Sequence, residues 1–338
     1  MSNTINNKYK YMLIDSSYLI TRNISVLHGN YVKSGQEYTY GDVIKMFIWS
    51  INKLYRDYKI TADKVILLWD LWGKDGYHRS NILKGEYKDD RIYITEEDAD
   101  KETDPEEKRK KEIEAYKNST KQRAKYTIIN ELGKYGLASF SSKSWEADDI
   151  AMIWSNLLHS VHEKDGLRSV IVSRDSDWKF WTSPHVDNFR LKVGNNPEKL
   201  VTYNEVMAND FPQSLIGRIS LYDYKSMYDS IEGSHNNMRR TRIENIDTNF
   251  IIYKILQKDK DVIKYFEDYD RYNLQLSTFR LNEFEGFDKV NNMFYYIDKS
   301  GKIGSVEEFR KFADENGVNI SDSYYQKFIN NLNPELYE

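Results

Sequence analysis

The sequence predicts an α/β protein: a mostly parallel central sheet flanked by helices, followed by a mainly helical carboxyl-terminal domain. Three observations carry this prediction. Short apolar runs alternate with helix-period segments over the first two-thirds of the chain, which is the pattern of β-α-β units. Three of those runs end in, or lead into, an aspartate: MLI-Asp15, VILLW-Asp70 and VIVSR-Asp175. In open parallel sheets, ligands bind beyond the carboxyl ends of the strands. From about residue 200 the strand signals thin out, and the chain reads as helical with irregular connections.

Taken in order, residues 9–14 (YKYMLI) form a short apolar strand ending at Asp15. Residues 41–57 (GDVIKMFIWSINKLYRD) place Val43, Phe47, Ile51 and Leu54 on one helical face. Residues 64–69 (KVILLW) read as a buried strand ending at Asp70, and a long charged segment follows at 84–125. A short strand at 136–140 (GLASF) precedes a helix opening within KSWEADDIAMIWSNLL, residues 143–158. The strand 169–172 (SVIV) then runs into SRDSDW. There is no internal repeat and no low-complexity linker. The expected domains are 1–200, an α/β domain, and 201–338, a mainly helical domain.

Composition narrows the function classes. The 338 residues are 40% hydrophobic and 30% charged, with 27 tyrosines. No apolar run approaches the roughly 20 residues that span a bilayer, so no membrane partner is expected. The amino terminus, MSNTINNKYKYMLID, shows no signal-peptide core. The absence of cysteine excludes disulfides, thiolate zinc sites and a cysteine nucleophile. A cytoplasmic location is the expectation. Net charge is −4, from 49 basic and 53 acidic residues, whereas nucleic-acid binders are more often basic overall; local clusters decide binding, so the net value settles nothing. Neither GxGxxG nor GxxxxGK[ST] occurs, which removes the usual support for a nucleotide cofactor.

The stretch KSWEADDIAMIW poses the central question. In a helix, Glu146 stacks over Ile150 and Asp149 over Ile153, in line with a buried stripe of Ile150, Ile153, Trp154 and Leu157. Carboxylates also favour a helix's first turn because of its dipole, with Ser144 as N-cap. A cap alone has no need to point acids inward. Asp175 and Asp177 of SRDSDW likewise suit a strand-ending turn. Together, Asp15, Asp70, Glu146, Asp148, Asp149, Asp175 and Asp177 would repel one another at a sheet edge unless divalent cations neutralised them. All-oxygen ligands suit Mg²⁺ or Mn²⁺ and not zinc. The His159-x-x-His162 pair is expected on the helix surface.

LIDSSYLITR, LLWD, WEADDI and SRDSDW follow in the order and approximate spacing of the 5′-nuclease superfamily. The chain resembles that family over residues 10–240, more loosely to about 315, and is most similar to phage RNase H-type 5′-nucleases. The resemblance implies a PIN/5′-nuclease-like fold with a helical arch at about 84–125, and two Mg²⁺ ions, with Mn²⁺ substituting. It marks Arg79, Tyr87, Lys88 and Arg91 as the family's Arg…Tyr-Lys-x-x-Arg segment, and Arg22 as the arginine that phage members carry after the first aspartate. Lys88, Arg79 and Arg22 would hold the scissile phosphate, with Tyr87 stacking on an unpaired base and Arg91 binding the strand. Asp104-Pro105-Glu106-Glu107 is a strong helix start. The basic run behind it, with Lys108, Arg109, Lys110, Lys111, Lys121 and Arg123, would attract a single-stranded 5′ end.

The family's last acidic motif, Gly-Asp-x-x-Asp-Asn, is altered here. An ungapped alignment pairs Asp229 and Glu232 in KSMYDSIEGSHNNM; alignment on Asn237 puts Gly233 and Asn236 there instead. The first keeps two carboxylates at i,i+3. The expected function is a metal-dependent 5′-3′ exonuclease or flap endonuclease acting near 5′ ends of branched or RNA-primed duplex DNA, in RNA primer removal during phage replication. The alternatives are a catalytically weakened structure-specific binding protein and a PIN-like ribonuclease. Partners would be DNA and RNA–DNA duplexes with 5′ ends or flaps; the sequence does not decide whether a replication clamp or single-strand-binding protein docks on the carboxyl tail. A monomer is expected.

Overall fold

A computed structural model describes residues 7–70, 93–192, 197–232, 247–262, 287–298 and 304–332. In chain order its first elements are β1 (Asn7–Asp15), α1 (Ser16–Ser34), α2 (Tyr40–Arg56), β2 (Ile60–Trp69), α3 (Glu96–Asp100), α4 (Pro105–Glu131), β3 (Leu137–Ser141) and α5 (Ala147–Asp165). There follow β4 (Ser169–Ser173), β5 (Val186–Arg190), β6 (Lys199–Val201), α6 (Tyr203–Asn209), α7 (Leu221–Glu232), α8 (Thr248–Leu256), α9 (Phe287–Asp298), α10 (Val306–Glu315) and α11 (Asp322–Leu332). The strands form a mostly parallel six-stranded sheet in the order β3-β2-β1-β4-β5-β6. Among the described residues, no helix is long and apolar enough to cross a membrane.

Two compact units interleave along the chain: Met1–Trp69, Ile92–Phe140 and Tyr296–Glu338 form one, Asp70–Arg91 and Ser141–Tyr295 the other. In the first, β1 and β2 pair in parallel, with Asn7 opposite Ile60 and Asp15 opposite Leu68. The stripe read from sequence on α2 is buried: Val43, Phe47 and Ile51 have no exposed surface, and Leu54 is 2% exposed. Phe47 stacks on Trp69 at 5.7 Å. Each such side chain contributes about 1.5–3 kcal/mol by leaving water. Asp104 caps α4, accepting from the Glu106 and Glu107 amides at 2.9 Å each, with Pro105 opening the helix.

In the second unit β4 and β5 are parallel and β5 and β6 antiparallel. Ile150, Ile153 and Trp154 are buried. The Trp154 indole N–H donates to the Val290 carbonyl at 2.9 Å, and its ring meets Phe294 edge-on. Val206, Leu215, Ile231 and Ile252 centre a further apolar cluster on α6 to α8.

Two expectations are corrected. The N-cap of α5 is Glu146 and not Ser144, because the Glu146 amide bonds the Asp149 carboxylate and closes the first turn there. His162 lies wholly inside the protein. Its Nε2 is 2.7 Å from Ser169 Oγ and its Nδ1 3.2 Å from Asp165, and these partners make an interior imidazole tolerable.

Candidate functional site

Of the nine predicted acids, all but Asp15 belong to the second unit, and the start of α5 gathers Asp70, Glu146 and Asp149. A helix's first N–H groups have no partner within the helix and carry partial positive charge. Two carboxylates meet that end. Asp70, the residue after β2, accepts from the Ala147 amide at 2.8 Å, and Asp149 accepts from the Glu146 amide at 3.1 Å. Glu146 and Asp149 are each 2% exposed; both acids point inward as expected, although Glu146 does so from the extended N-cap and not from within the helix. Asp148 is half-buried and accepts from the Trp178 indole N–H at 2.8 Å.

Beyond β4 the chain turns sharply. The Asp175 amide donates to Ser173 Oγ at 3.0 Å, and Asp175 Oδ1 accepts from the Asp177 amide at 2.9 Å. That is the local side-chain-to-backbone closure expected of aspartate in a turn. It leaves the Asp175 side chain exposed. Asp177 pairs with Lys225 of α7 at 3.1 Å. Lys225 is 8% exposed, an ammonium that such depth tolerates only beside a carboxylate. Sequence reading missed Lys225 and Trp178 as members of this group.

Asp15 belongs to the other unit. It is 7% exposed and caps α1, accepting from the Tyr18 amide at 2.9 Å. Arg22 is half-buried on α1. Several basic residues of α4 stand beside acids. Lys111 bonds Glu102 at 2.7 Å, Lys110 bonds Glu107 at 2.8 Å, and Lys108 stands 3.9 Å from Asp100. The Glu102 carboxylate holds Lys111 above the ordinary lysine range, and Lys111 holds Glu102 below the ordinary carboxylate range. Glu107, then Glu106, raises Lys110 in the same way. Arg109 is exposed and Lys121 half-buried. The Arg123 guanidinium lies 3.9 Å over the Tyr40 ring.

Arg79, Tyr87, Lys88 and Arg91 lie outside the described residues, as do the side chains of Asp229 and Glu232, whose backbone is in α7. Among the described residues no group of three or more His, Cys, Asp or Glu side chains stands close enough to hold a metal ion. The donor chemistry is nonetheless uniform. Every predicted ligand is a carboxylate, which fits a hard divalent cation.

No protein-family model matches the chain, and no curated protein matches it in sequence. Solved structures do match in fold. A variant of the bacteriophage T5 flap endonuclease, in a pseudo-enzyme–product complex with DNA and metal ions, is similar at 17% identity and TM-score 0.55, over 87% of this chain and 100% of that one. The T5 protein co-crystallised with metal ions gives 16% identity and TM-score 0.54, over 86% and 99%. A T5 5′-exonuclease mutant gives 15% and 0.50, over 86% and 99%. The likeness spans nearly the whole of both chains, and the chain has the fold of the bacteriophage T5 5′-nuclease.

Proposed function

We propose that the chain is a divalent-metal-dependent 5′-nuclease. It hydrolyses phosphodiesters near the 5′ ends of branched, nicked or RNA-primed duplex DNA, and it serves RNA primer removal in phage replication, as a monomer in the host cytoplasm. One observation carries the reading: Glu146 and Asp149 are buried at the start of a helix whose first amide is held by Asp70. Burying carboxylates is costly, and a cap alone gives no reason for it. The fold shared with a flap endonuclease crystallised with DNA and metal ions supports the same reading.

In this proposal Asp15, Asp70, Glu146, Asp148, Asp149, Asp175 and Asp177, with Asp229 and Glu232, hold or orient two Mg²⁺, which Mn²⁺ can replace. When bound, such ions supply a water of lowered pKa and stabilise the attacking and leaving oxygens. The protein's own residues do the rest. Trp178 fixes Asp148, and Lys225 fixes Asp177. Lys88, Arg79 and Arg22 bind the scissile phosphate, Tyr87 stacks on a base, and Arg91 binds the strand. Lys108, Arg109, Lys110, Lys111, Lys121 and Arg123 of α4 guide the 5′ strand. Residues 1–200 act as the catalytic domain and 201–338 as the DNA-binding domain.

A second reading has its own support. No described group of three acids stands at metal-holding distance, which favours a catalytically weakened, structure-specific nucleic-acid-binding protein. Incubation with a labelled 5′-flap substrate in Mg²⁺, beside an Asp175→Asn control, separates the two. Cleavage lost in the control supports the nuclease; binding without metal-dependent cleavage overturns it.

A further inference from the structure

We infer that the outer face of α2 is a binding site for single-stranded nucleic acid, built on Trp49 between Lys45 and Lys53. A helix turns about 100° per residue. Ile44, Phe47, Ile48, Ile51 and Tyr55 are buried on one side of α2. Lys45, Trp49, Lys53 and Arg56 then fall within an arc of about 80° on the opposite side. Trp49 is 45% exposed, although an indole is among the costliest side chains to leave in water. Lys45 Nζ stands 4.9 Å from its ring centroid. Tyr324 of α11 flanks it at 6.3 Å, tilted by 58°. Lys53 Nζ lies 5.2 Å over the Tyr58 ring.

The acids near this arc each have a partner of their own, and one of those partners is Arg56 of the arc itself. Asp42 turns back to its own helix cap, accepting from the Thr39 amide at 2.9 Å. Asp57 pairs with Arg56 at 2.6 Å. Asp322, on α11, pairs with Arg310 at 2.8 Å. The result is an exposed strip in which cations and aromatic rings alternate. Phosphates complement the lysines, and a base presents a flat face to the indole. Only an unpaired strand offers both together, because a duplex keeps its base faces stacked.

Within its own unit, this strip stands apart from Asp15. The carboxyl end of α2 leads into Ile60, which pairs with Asn7 at the far end of β1 from Asp15. The inference therefore does not rest on the nuclease proposal.

The test uses the full chain in EDTA, so that metal-dependent binding makes no contribution. An oligothymidylate carrying 5-iodouracil is irradiated with the protein, and adducts are mapped after trypsin digestion. The expected adduct lies in the peptide from Met46 to Lys53, on Trp49. Lys45→Glu with Lys53→Glu is expected to lower the yield roughly ten-fold, since each lost phosphate contact also reduces the salt dependence of binding. Trp49→Tyr is expected to keep binding that Trp49→Ala loses. Adducts formed elsewhere but not on this peptide overturn the inference, as does a yield unchanged by charge reversal or equal competition by blunt duplex. Mapping on the unaltered protein decides the matter even where a variant fails to fold.

Discussion

Replacing Gly41 by alanine tests how tightly α2 is seated. A methyl group there would lie 2.4 Å from the Asn316 carbonyl oxygen and 2.5 Å from that of Gly317. Carbon does not approach backbone oxygen below about 3 Å, so the two segments must part by about 0.5 Å or more. Neither side yields easily. The Asn316 amide bonds the Phe312 carbonyl at 3.1 Å and the Val318 amide the Ala313 carbonyl at 2.7 Å. Gly317 sits at φ +65°, and the opposing end of α2 is locked by the Thr39–Asp42 capping box. Overpacking of this kind costs about 1–3 kcal/mol, and losing one of the turn's hydrogen bonds adds about 1 kcal/mol. At about 2–4 °C per kcal/mol, the melting temperature should fall by about 5–15 °C. Gly29→Ala is the control. It lies within α1 with nothing inside 4 Å, and alanine should stabilise by about 0.5–1 kcal/mol. Thermal and urea unfolding followed by circular dichroism give both values. A Gly41→Ala protein melting at or above the unaltered chain refutes the reasoning.

Three further expectations concern the site and the caps. Trp178→Phe deletes the indole donor to Asp148; it should cost about 1–3 kcal/mol and raise the Mg²⁺ concentration for half-maximal cleavage, read by metal titration. Glu146→Gln should abolish the Mg²⁺-induced rise in melting temperature, which for the unaltered chain corresponds to about 2.7 kcal/mol at a hundredfold excess over Kd; an equal rise in both proteins contradicts the assignment. The Glu205 carboxyl is held below its ordinary range first by the Thr202 amide and also by Lys199. A depressed folded pKa contributes stability above the unfolded value, about 4.3, and that stability is lost as pH falls through the folded value. The urea midpoint should therefore drop less between pH 5 and pH 3 in Glu205→Gln than in the unaltered chain.

Much of the fold was legible because strong local signals agreed with burial. YKYMLI, KVILLW and SVIV lie wholly in strands, and GLASF does so from Leu137, its Gly136 forming the left-handed turn before the strand. Asp104-Pro105 opened a helix as its capping chemistry required. What escaped notice lacked a clean period. The inward face of α1 includes Asn23, which is 2% exposed and interrupts the apolar pattern. β5 buries Asp187 and Asn188, and the Arg168–Asp187 ion pair at 2.6 Å makes that tolerable only through a partner distant in sequence. His162 was misread for the same reason, since Ser169 lies on the next strand. The inward Asp149 was readable from its i,i+4 spacing to Ile153, whereas Glu146 is buried from the N-cap, outside the helix. Lys225 and Trp178 were not readable, because each meets its carboxylate through tertiary contact alone.

The most direct measurement of the central claim is anomalous density from a crystal soaked in Mn²⁺. The account predicts two peaks, each with carboxylate oxygens at about 2.0–2.2 Å, drawn from Asp15, Asp70, Glu146, Asp148, Asp149, Asp175 and Asp177, with Asp229 and Glu232 at the second ion. A crystal saturated with Mn²⁺ that shows no peak at these carboxylates would contradict it.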